Sequence, residues 1–302
     1  MQLAVDLFYL EKVLPLQKSI SGNIPLYRAL HAVPVLPLLE QLLQTMFLGS
    51  VQGISEWLPI SSTAHLKLTE HFLGLAVTPL FNIILHLGTL MVVVFFFRNE
   101  VRKILAALVR LDFKSESGML IPRIAVATVP TAVIGVMYVG FLEDYLQTIP
   151  IIAVTFLIGA TIVYSSKLGK ENVDALPYKL ALLMGVAQGF AIFPGLSRSG
   201  VTISTALLLG VKRQKAFRFS FLLSIPAIVG DFAVEAYSQQ GQFSTGGLGA
   251  VEVVAGVAVA VVVGFFALKW LSRIVAGKKF HYFAFYTWAL GAALLILTLV
   301  GV

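Results

Sequence analysis

Six apolar segments, each long enough to cross a membrane as a helix, constrain the fold of this chain more than any other feature. A transmembrane helix needs about 20 mostly apolar residues. The segments that qualify are 80–97, 121–140, 150–166, 218–237, 249–271 and 281–301. Composition agrees, because only 12% of the residues are charged, whereas soluble domains are about one quarter charged. The sequence therefore predicts an all-α integral membrane protein with about six transmembrane helices.

Basic residues orient these spans. Most of the 22 Lys and Arg residues lie in four connections: 98–120, 166–179, 212–218 and 269–279. The other two connections, 141–149 and 238–248, contain none. Cytoplasmic loops of membrane proteins are rich in Lys and Arg, so we expect the four basic connections on the cytoplasmic side of the membrane.

The net charge of +7 does not indicate nucleic acid as a partner. No basic patch here is interleaved with aromatic residues on a polar fold, which is what binding of nucleic acid requires. The chain has no cysteine, which excludes disulfides and cysteine-based metal centres. The expected surroundings are membrane lipids.

Two semi-apolar regions, 39–77 and 180–211, are interrupted by proline and are too polar to cross as plain helices. The alternation of the spans requires each region to begin and end on the same side. We therefore expect two re-entrant helix–turn–helix hairpins, inserted from opposite faces, with their broken backbone buried in protein or lining a cavity. Residues 1–38 are interpreted as an N-terminal extension along the membrane surface, and residues 39–302 as one polytopic membrane domain.

A weak internal repeat relates the two hairpins. Ser61 lies nine residues after Gln52, and Ser197 lies nine residues after Gln188. The prolines between them are offset by one position. Broken hairpins at corresponding positions of two halves are typical of inverted-topology repeats with a binding site near the midplane.

The turn of the first hairpin contains an acid, several hydroxyls and an imidazole. Pro59 is expected to end the first half-helix, which places Gln52 and Glu56 one turn apart on one face. His65 falls within the first turn of the second half-helix. Three hydroxyl residues can cap that half-helix: Ser61, Ser62 and Thr63. Ionisable groups at membrane depth are costly and usually functional, so the site is predicted here.

The turn of the second hairpin is suited to an anion. Pro194 and Gly195 end one half-helix, and Ser197 or Ser199 can begin the next. A helix N-terminus presents free N–H groups and a partial positive charge that favours phosphate. Arg198 adds a planar fork of donors for phosphate oxygens.

Structural alternatives exist for several of these residues. Glu56 can simply pair with Arg198 as an ion pair that stabilises the fold, and His65 can be a packing histidine. The structural interpretation is preferred for three more ionisable residues: Glu70, His71 and His86.

The stretches 52–65 and 194–204 resemble the two signature motifs of the undecaprenyl-diphosphate phosphatase family, the bacitracin-resistance proteins. The likeness extends in order and spacing over residues 40–302. It implies hydrolysis of undecaprenyl diphosphate, a polyprenyl diphosphate lipid, to undecaprenyl phosphate and inorganic phosphate. That reaction recycles the lipid carrier for peptidoglycan and other envelope polymers. The resemblance also implies dependence on a divalent cation, Mg²⁺ or Ca²⁺.

Roles for individual residues follow from their motif positions. Glu56 corresponds to the essential acid and the cation ligand, Ser62 to a proposed nucleophile, His65 to the catalytic histidine and Arg198 to the phosphate-binding arginine. Supporting positions for substrate are Ser61, Ser197, Ser199, Thr202 and Gln52. Gln52 occupies the first position of the family's Glu/Gln-x-x-x-Glu motif, where Gln is also common, so we expect a cation site with a single carboxylate.

Two further expectations concern function and assembly. Paired re-entrant hairpins with an anion site at the midplane are also a transporter design, so a polyprenyl-phosphate transporter is the alternative. A hydroxyl and an imidazole beside the acid favour chemistry, with the active site open to the outer face. The nucleophile, Ser62 or water, is left open, and so is the oligomeric state, for which a homodimer is one alternative.

Overall fold

A computed structural model describes residues 35–75, 77–238, 245 and 247–300. These residues form helices and connections without a β-strand. The helices are α1 (Val35–Trp57), α2 (Ser62–Leu73), α3 (Pro79–Phe96), α4 (Arg98–Val109), α5 (Leu120–Phe141), α6 (Glu143–Leu146), α7 (Ile149–Ser165), α8 (Tyr178–Phe190), α9 (Arg198–Leu208), α10 (Arg213–Ser238), α11 (Ala250–Ala276) and α12 (Phe283–Val300). The predicted extension lies almost entirely outside the described residues.

Six helices are long and apolar enough to cross a membrane, and they confirm the predicted spans. They cover 79–96, 120–141, 149–168, 213–234, 250–276 and 280–300. The fourth begins five residues before the predicted 218, because the basic segment before it is already helical. Arg213 at its start is buried and pairs with Glu171 at 2.7 Å, which offsets the cost of placing a charge there.

Contacts divide the chain into two units between Thr45 and Met46, and the helix packing that positions the site belongs to residues 46–302. Within this unit α5 packs along α8, and α7 packs along α12. A Cβ at Gly49 would come within 2.2 Å of the Gly256 carbonyl oxygen, so α1 and α11 meet backbone to backbone. A Cβ at Gly185 would come within 2.0 Å of the Ala127 carbonyl oxygen, so α8 meets α5 in the same way. Such small-residue contacts are how helices pack closely in lipid.

These two close contacts follow the internal repeat. Gly49 lies three residues before Gln52, and Gly185 lies three residues before Gln188. The first helix of each hairpin is therefore fixed by the same device at the same position. The helix that packs against it differs: α11 in the first hairpin and α5 in the second.

Candidate active site

Both hairpins are broken close to where the sequence predicts. Helix α1 ends at Trp57, two residues before Pro59, and α2 begins at Ser62. Helix α8 ends at Phe190, earlier than expected from Pro194, because the chain continues as irregular turns before α9 begins. The second break is therefore longer than the first.

The two breaks contact each other directly. The Gly195 backbone N–H donates to the Ser61 Oγ at 3.1 Å. Two hydroxyls of the second hairpin donate to carbonyl oxygens at the end of the first half-helix: Ser199 to Trp57 at 2.8 Å and Ser197 to Leu58 at 3.2 Å. These bonds satisfy backbone groups that the breaks expose in a buried setting.

Ser61 and Gly195 both have a left-handed backbone, with φ of 70° and 97°. This conformation is natural for glycine but strained for serine, by about 1–3 kcal/mol. Ser61 stands at the N-cap position of α2, yet its side chain makes no capping bond and instead accepts from Gly195. Ser197 does cap α9, because its Oγ accepts the Gly200 N–H at 3.1 Å.

The buried Glu56 carboxylate is the centre of the site. One oxygen, Oε1, accepts from the Arg198 guanidinium. The other, Oε2, accepts from the Ser62 hydroxyl at 2.6 Å and from the Gln52 amide at 3.1 Å. The His86 Nε2 lies 3.4 Å from the same Oε2. Arg198 and Ser62, which come from the two breaks, thus meet on a single carboxylate.

A cavity of about 130 Å³ opens beside this carboxylate. Glu56, Ser62, His86, Arg198 and Asp231 are among the residues that line it. A cationic side chain, a hydroxyl and two carboxylates therefore share one concave space, as expected for binding and transforming an anionic group.

His65 is not turned toward this cavity. Its Nδ1 lies 2.8 Å from the Ser61 carbonyl oxygen, and its Nε2 lies 2.7 Å from the Tyr286 hydroxyl. The ring stacks on Tyr286 and meets Phe156 edge to face. The catalytic function assigned to His65 by motif position stays a prediction, and the structure does not bring its imidazole to Glu56.

Sequence reasoning missed two residues of the cavity. His86, for which packing was preferred, has its Nδ1 2.8 Å from the Asn82 carbonyl oxygen and its Nε2 toward Glu56. A carbonyl only accepts, so Nδ1 carries a hydrogen in this arrangement. Asp231 was not selected, although an acid within an otherwise apolar span is itself a signal of function.

The residues predicted to support substrate binding fall into two groups. Ser61 and Ser197 line the cavity. Gln52, Ser199 and Thr202 are buried behind it. Thr202 donates to the Arg198 carbonyl oxygen at 2.7 Å and lies 2.5 Å from the Ser220 hydroxyl, so it attaches α9 to α10.

The described residues do not form a metal site by themselves. No three His, Asp or Glu side chains among them are placed to hold an ion together. Both oxygens of Glu56 already accept from donors. A magnesium-like cation needs only one or two protein carboxylates when other oxygens and water complete its coordination. Glu56 and Asp231 are the carboxylates on the cavity.

Comparison with known proteins identifies the family. The family model described as bacitracin resistance protein BacA matches residues 45–293. An undecaprenyl-diphosphatase of Treponema denticola is 40% identical over 265 residues, covering 84% of this chain and 96% of that protein. One from Carboxydothermus hydrogenoformans is 37% identical over 263 residues, covering 85% of this chain and 98% of that protein. The chain therefore belongs to the bacitracin resistance protein BacA family.

Proposed function

We propose that this protein is a membrane-embedded phosphatase that hydrolyses undecaprenyl diphosphate to undecaprenyl phosphate and inorganic phosphate. The observation that carries the proposal is the meeting of Arg198 and Ser62 on the buried Glu56 carboxylate, inside a cavity formed where two helix breaks touch. Its relatives are named for this activity. The product serves as lipid carrier for peptidoglycan synthesis, and removal of the diphosphate confers bacitracin resistance.

The second hairpin binds the phosphates in this proposal. Arg198 is the first residue of α9, so its guanidinium and the free N–H groups of that helix start lie together. The guanidinium pairs with Glu56. A diphosphate offers more negative charge and bidentate acceptor geometry, and it draws Arg198 from the carboxylate to the phosphate.

The first hairpin supplies the reacting groups. Glu56 accepts the proton of the Ser62 hydroxyl while the Ser62 Oγ forms a bond to the terminal phosphorus. The bridging P–O bond breaks, and undecaprenyl phosphate leaves. Water then hydrolyses the phosphoserine and gives inorganic phosphate. The 2.6 Å bond from Ser62 to Glu56 supports this order, whereas a water activated by Glu56 is the alternative nucleophile.

A divalent cation, Mg²⁺ or Ca²⁺, completes the proposed site. When bound, it neutralises phosphate charge as the bridging bond breaks. Glu56 and Asp231 are the residues that would hold it through one or both carboxylates. The protein itself mainly positions the groups and balances their charge, which phosphoryl transfer requires.

The proposal also includes an orientation. The protein crosses the bacterial inner membrane several times, with the two broken hairpins entering from opposite faces and the cavity open to the outer face. The absence of Lys and Arg from 141–149 and 238–248 supports that orientation. A homodimer is the proposed alternative to a monomer.

Phosphate release in detergent micelles tests the function, because micelles have no second compartment and a transporter gives no signal there. Purified protein is incubated with undecaprenyl diphosphate, with and without a chelator of divalent cations. We expect release that stops with the chelator and returns with added Mg²⁺ or Ca²⁺. No release under any condition would contradict the phosphatase function. Release that the chelator does not affect would contradict only the dependence on a divalent cation.

A further inference from the structure

Helix α4 (Arg98–Val109) is too short to span a membrane but lies directly beside two spans. It has 12 residues, whereas a span needs about 20. Phe97 alone separates it from the end of α3, and both α3 and the following helix α5 are membrane spans. Helix α4 therefore lies at one surface of the membrane, between the ends of two spans.

One face of α4 packs against the protein. Val101, Ile104 and Ala107 follow one another at intervals of three residues, so they share this face. Ala107 is buried, and the other two side chains are half-buried against the main hydrophobic core. This packing fixes the rotation of α4 about its own axis and hence the direction of its other faces.

A second face of α4 is apolar and exposed. Leu105, Leu108 and Val109 lie three or four residues apart, and Val109 is 85% exposed. The turn after the helix extends this surface with Leu111, which is 72% exposed, and Phe113. No described residue covers these side chains. An exposed apolar surface of this kind marks a site of interaction.

Basic residues border the exposed apolar face. Arg102 precedes Leu105 by three residues, and Arg110 directly follows Val109. Both arginines are exposed, and the ion pairs among the described residues are made by other side chains. An apolar face beside basic residues is typical of helices that lie in the membrane interface, where anionic lipids attract Lys and Arg.

We propose that α4 binds anionic phospholipid headgroups at the membrane surface. Its exposed apolar face lies among the upper parts of the acyl chains, and Arg102 and Arg110 contact the headgroup phosphates. The positive charge beside the apolar face favours an anionic lipid over a neutral one. This lipid site shares no residue with the cavity that contains Glu56 and Arg198.

The depth of α4 is tested with single cysteines, which can be labelled specifically because the chain contains no other cysteine. A polarity-sensitive fluorophore is attached to Val109→Cys or, as the matched control, to Lys103→Cys. Lys103 is two residues before Leu105, so it points away from the apolar face. The full chain is reconstituted in vesicles of phosphatidylcholine and phosphatidylglycerol that contain lipids with a quencher in the acyl chain. We expect quenching and a blue shift at position 109 and a water-exposed label at position 103.

The preference for anionic headgroups is tested with the label at position 109. The quencher is placed on phosphatidylglycerol or on phosphatidylcholine with the same acyl chains. We expect phosphatidylglycerol to be favoured beside the label by about fivefold or more, the effect of one basic side chain near an anionic surface. Added salt should weaken the preference, because exposed charges are screened.

Two double variants show whether the arginines of α4 cause this preference. Arg102→Gln with Arg110→Gln should abolish it. Lys278→Gln with Lys279→Gln removes the same charge from exposed positions outside α4 and should leave it unchanged.

Several results would overturn the proposal. A label at position 109 that reports water would leave the apolar face to a protein partner. Equal quenching by the two lipids, or an equal loss of preference in both double variants, would show that α4 does not select anionic lipid. If Arg102→Gln with Arg110→Gln does not fold, the salt titration decides, and a preference that salt does not change would contradict the proposal. These measurements need no turnover, so their outcome is independent of the proposed phosphatase function.

Discussion

The two hairpins have the same architecture but carry different functional groups. Each consists of two helices with a break between them, and each break has one residue with a left-handed backbone, Ser61 in the first and Gly195 in the second. The first hairpin carries the acid and the hydroxyl, whereas the second carries the guanidinium and a capped helix start. Their hydrogen bonds to each other hold the complementary groups together. One repeated architecture thus provides opposite charges at one place.

The largest expected effect concerns phosphate binding by the second hairpin. Arg198→Ala should reduce kcat/KM by about 10³- to 10⁵-fold, as loss of a phosphate-binding arginine does in phosphoryl transfer. Arg198→Lys should recover only part of the loss, because an ammonium lacks the bidentate fork. Phosphate release in micelles measures both variants, with size-exclusion profiles as the folding control. Near-normal hydrolysis by Arg198→Ala would show that the second hairpin does not bind the reacting phosphates through Arg198.

The next effect separates two neighbouring hydroxyls of the first hairpin. Ser62→Ala should lower kcat by about 10²- to 10⁴-fold, because the hydroxyl that donates to Glu56 is lost. Ser61→Ala should lose far less activity, since its Oγ accepts from the Gly195 backbone. Single-turnover phosphate release compares the two. Activity of Ser62→Ala close to that of the wild type would select water as the nucleophile.

The second break should be more sensitive than an open turn to the loss of glycine. A Cβ at Gly195 would come within 2.1 Å of Thr155 Oγ1 and 2.8 Å of the Ile152 carbonyl oxygen, and φ there is 97°. At Gly74, φ is 63°, but no atom of the described residues lies within 4 Å of an added Cβ. Gly195→Ala should therefore cost about 2–4 kcal/mol of stability, and Gly74→Ala about 1–2 kcal/mol. Thermal unfolding in detergent measures the difference, and equal midpoints would mean that the second break is not closely packed.

Replacing His86 or His65 should have a smaller effect, and the order of the two effects tests which histidine acts in the site. His86→Ala should reduce kcat/KM about tenfold, consistent with one lost contact to a charged group. His65→Ala should cost less, because its ring contacts Ser61 and Tyr286 outside the cavity. Kinetics of both variants under identical conditions decide between them. If His65→Ala proves the more damaging, the assignment by motif position is right, and the His65 ring must turn toward the cavity during the reaction.

Features that depend on neighbouring residues in the chain could be predicted from the sequence alone. The spans were predictable because hydropathy acts locally and does not depend on neighbouring helices. The register of Gln52 and Glu56 was predictable because residues four apart share a helix face, and the two side chains do bond. The break at Pro59 followed from proline's missing N–H.

The orientation of the histidines was not predictable. Which imidazole meets Glu56 depends on the rotation of α2 and α3 about their own axes, and contacts distant in sequence set that rotation. Tyr286, which holds the His65 ring, lies more than two hundred residues along the chain. By contrast, Asp231 left a local signal, an acid within an apolar span, and attention to its cost in lipid would have selected it.

The smallest expected effect concerns Asp231, which belongs to neither hairpin. Its carboxylate lines the same cavity as Arg198. If it acts only as a negative charge, it opposes the diphosphate. Asp231→Asn should then lower KM by about twofold, in the range of a partly solvated charge interaction. A rise in KM that added Mg²⁺ reverses would show instead that Asp231 holds the cation, so that the acid of the site comes from α10 as well as from the first hairpin.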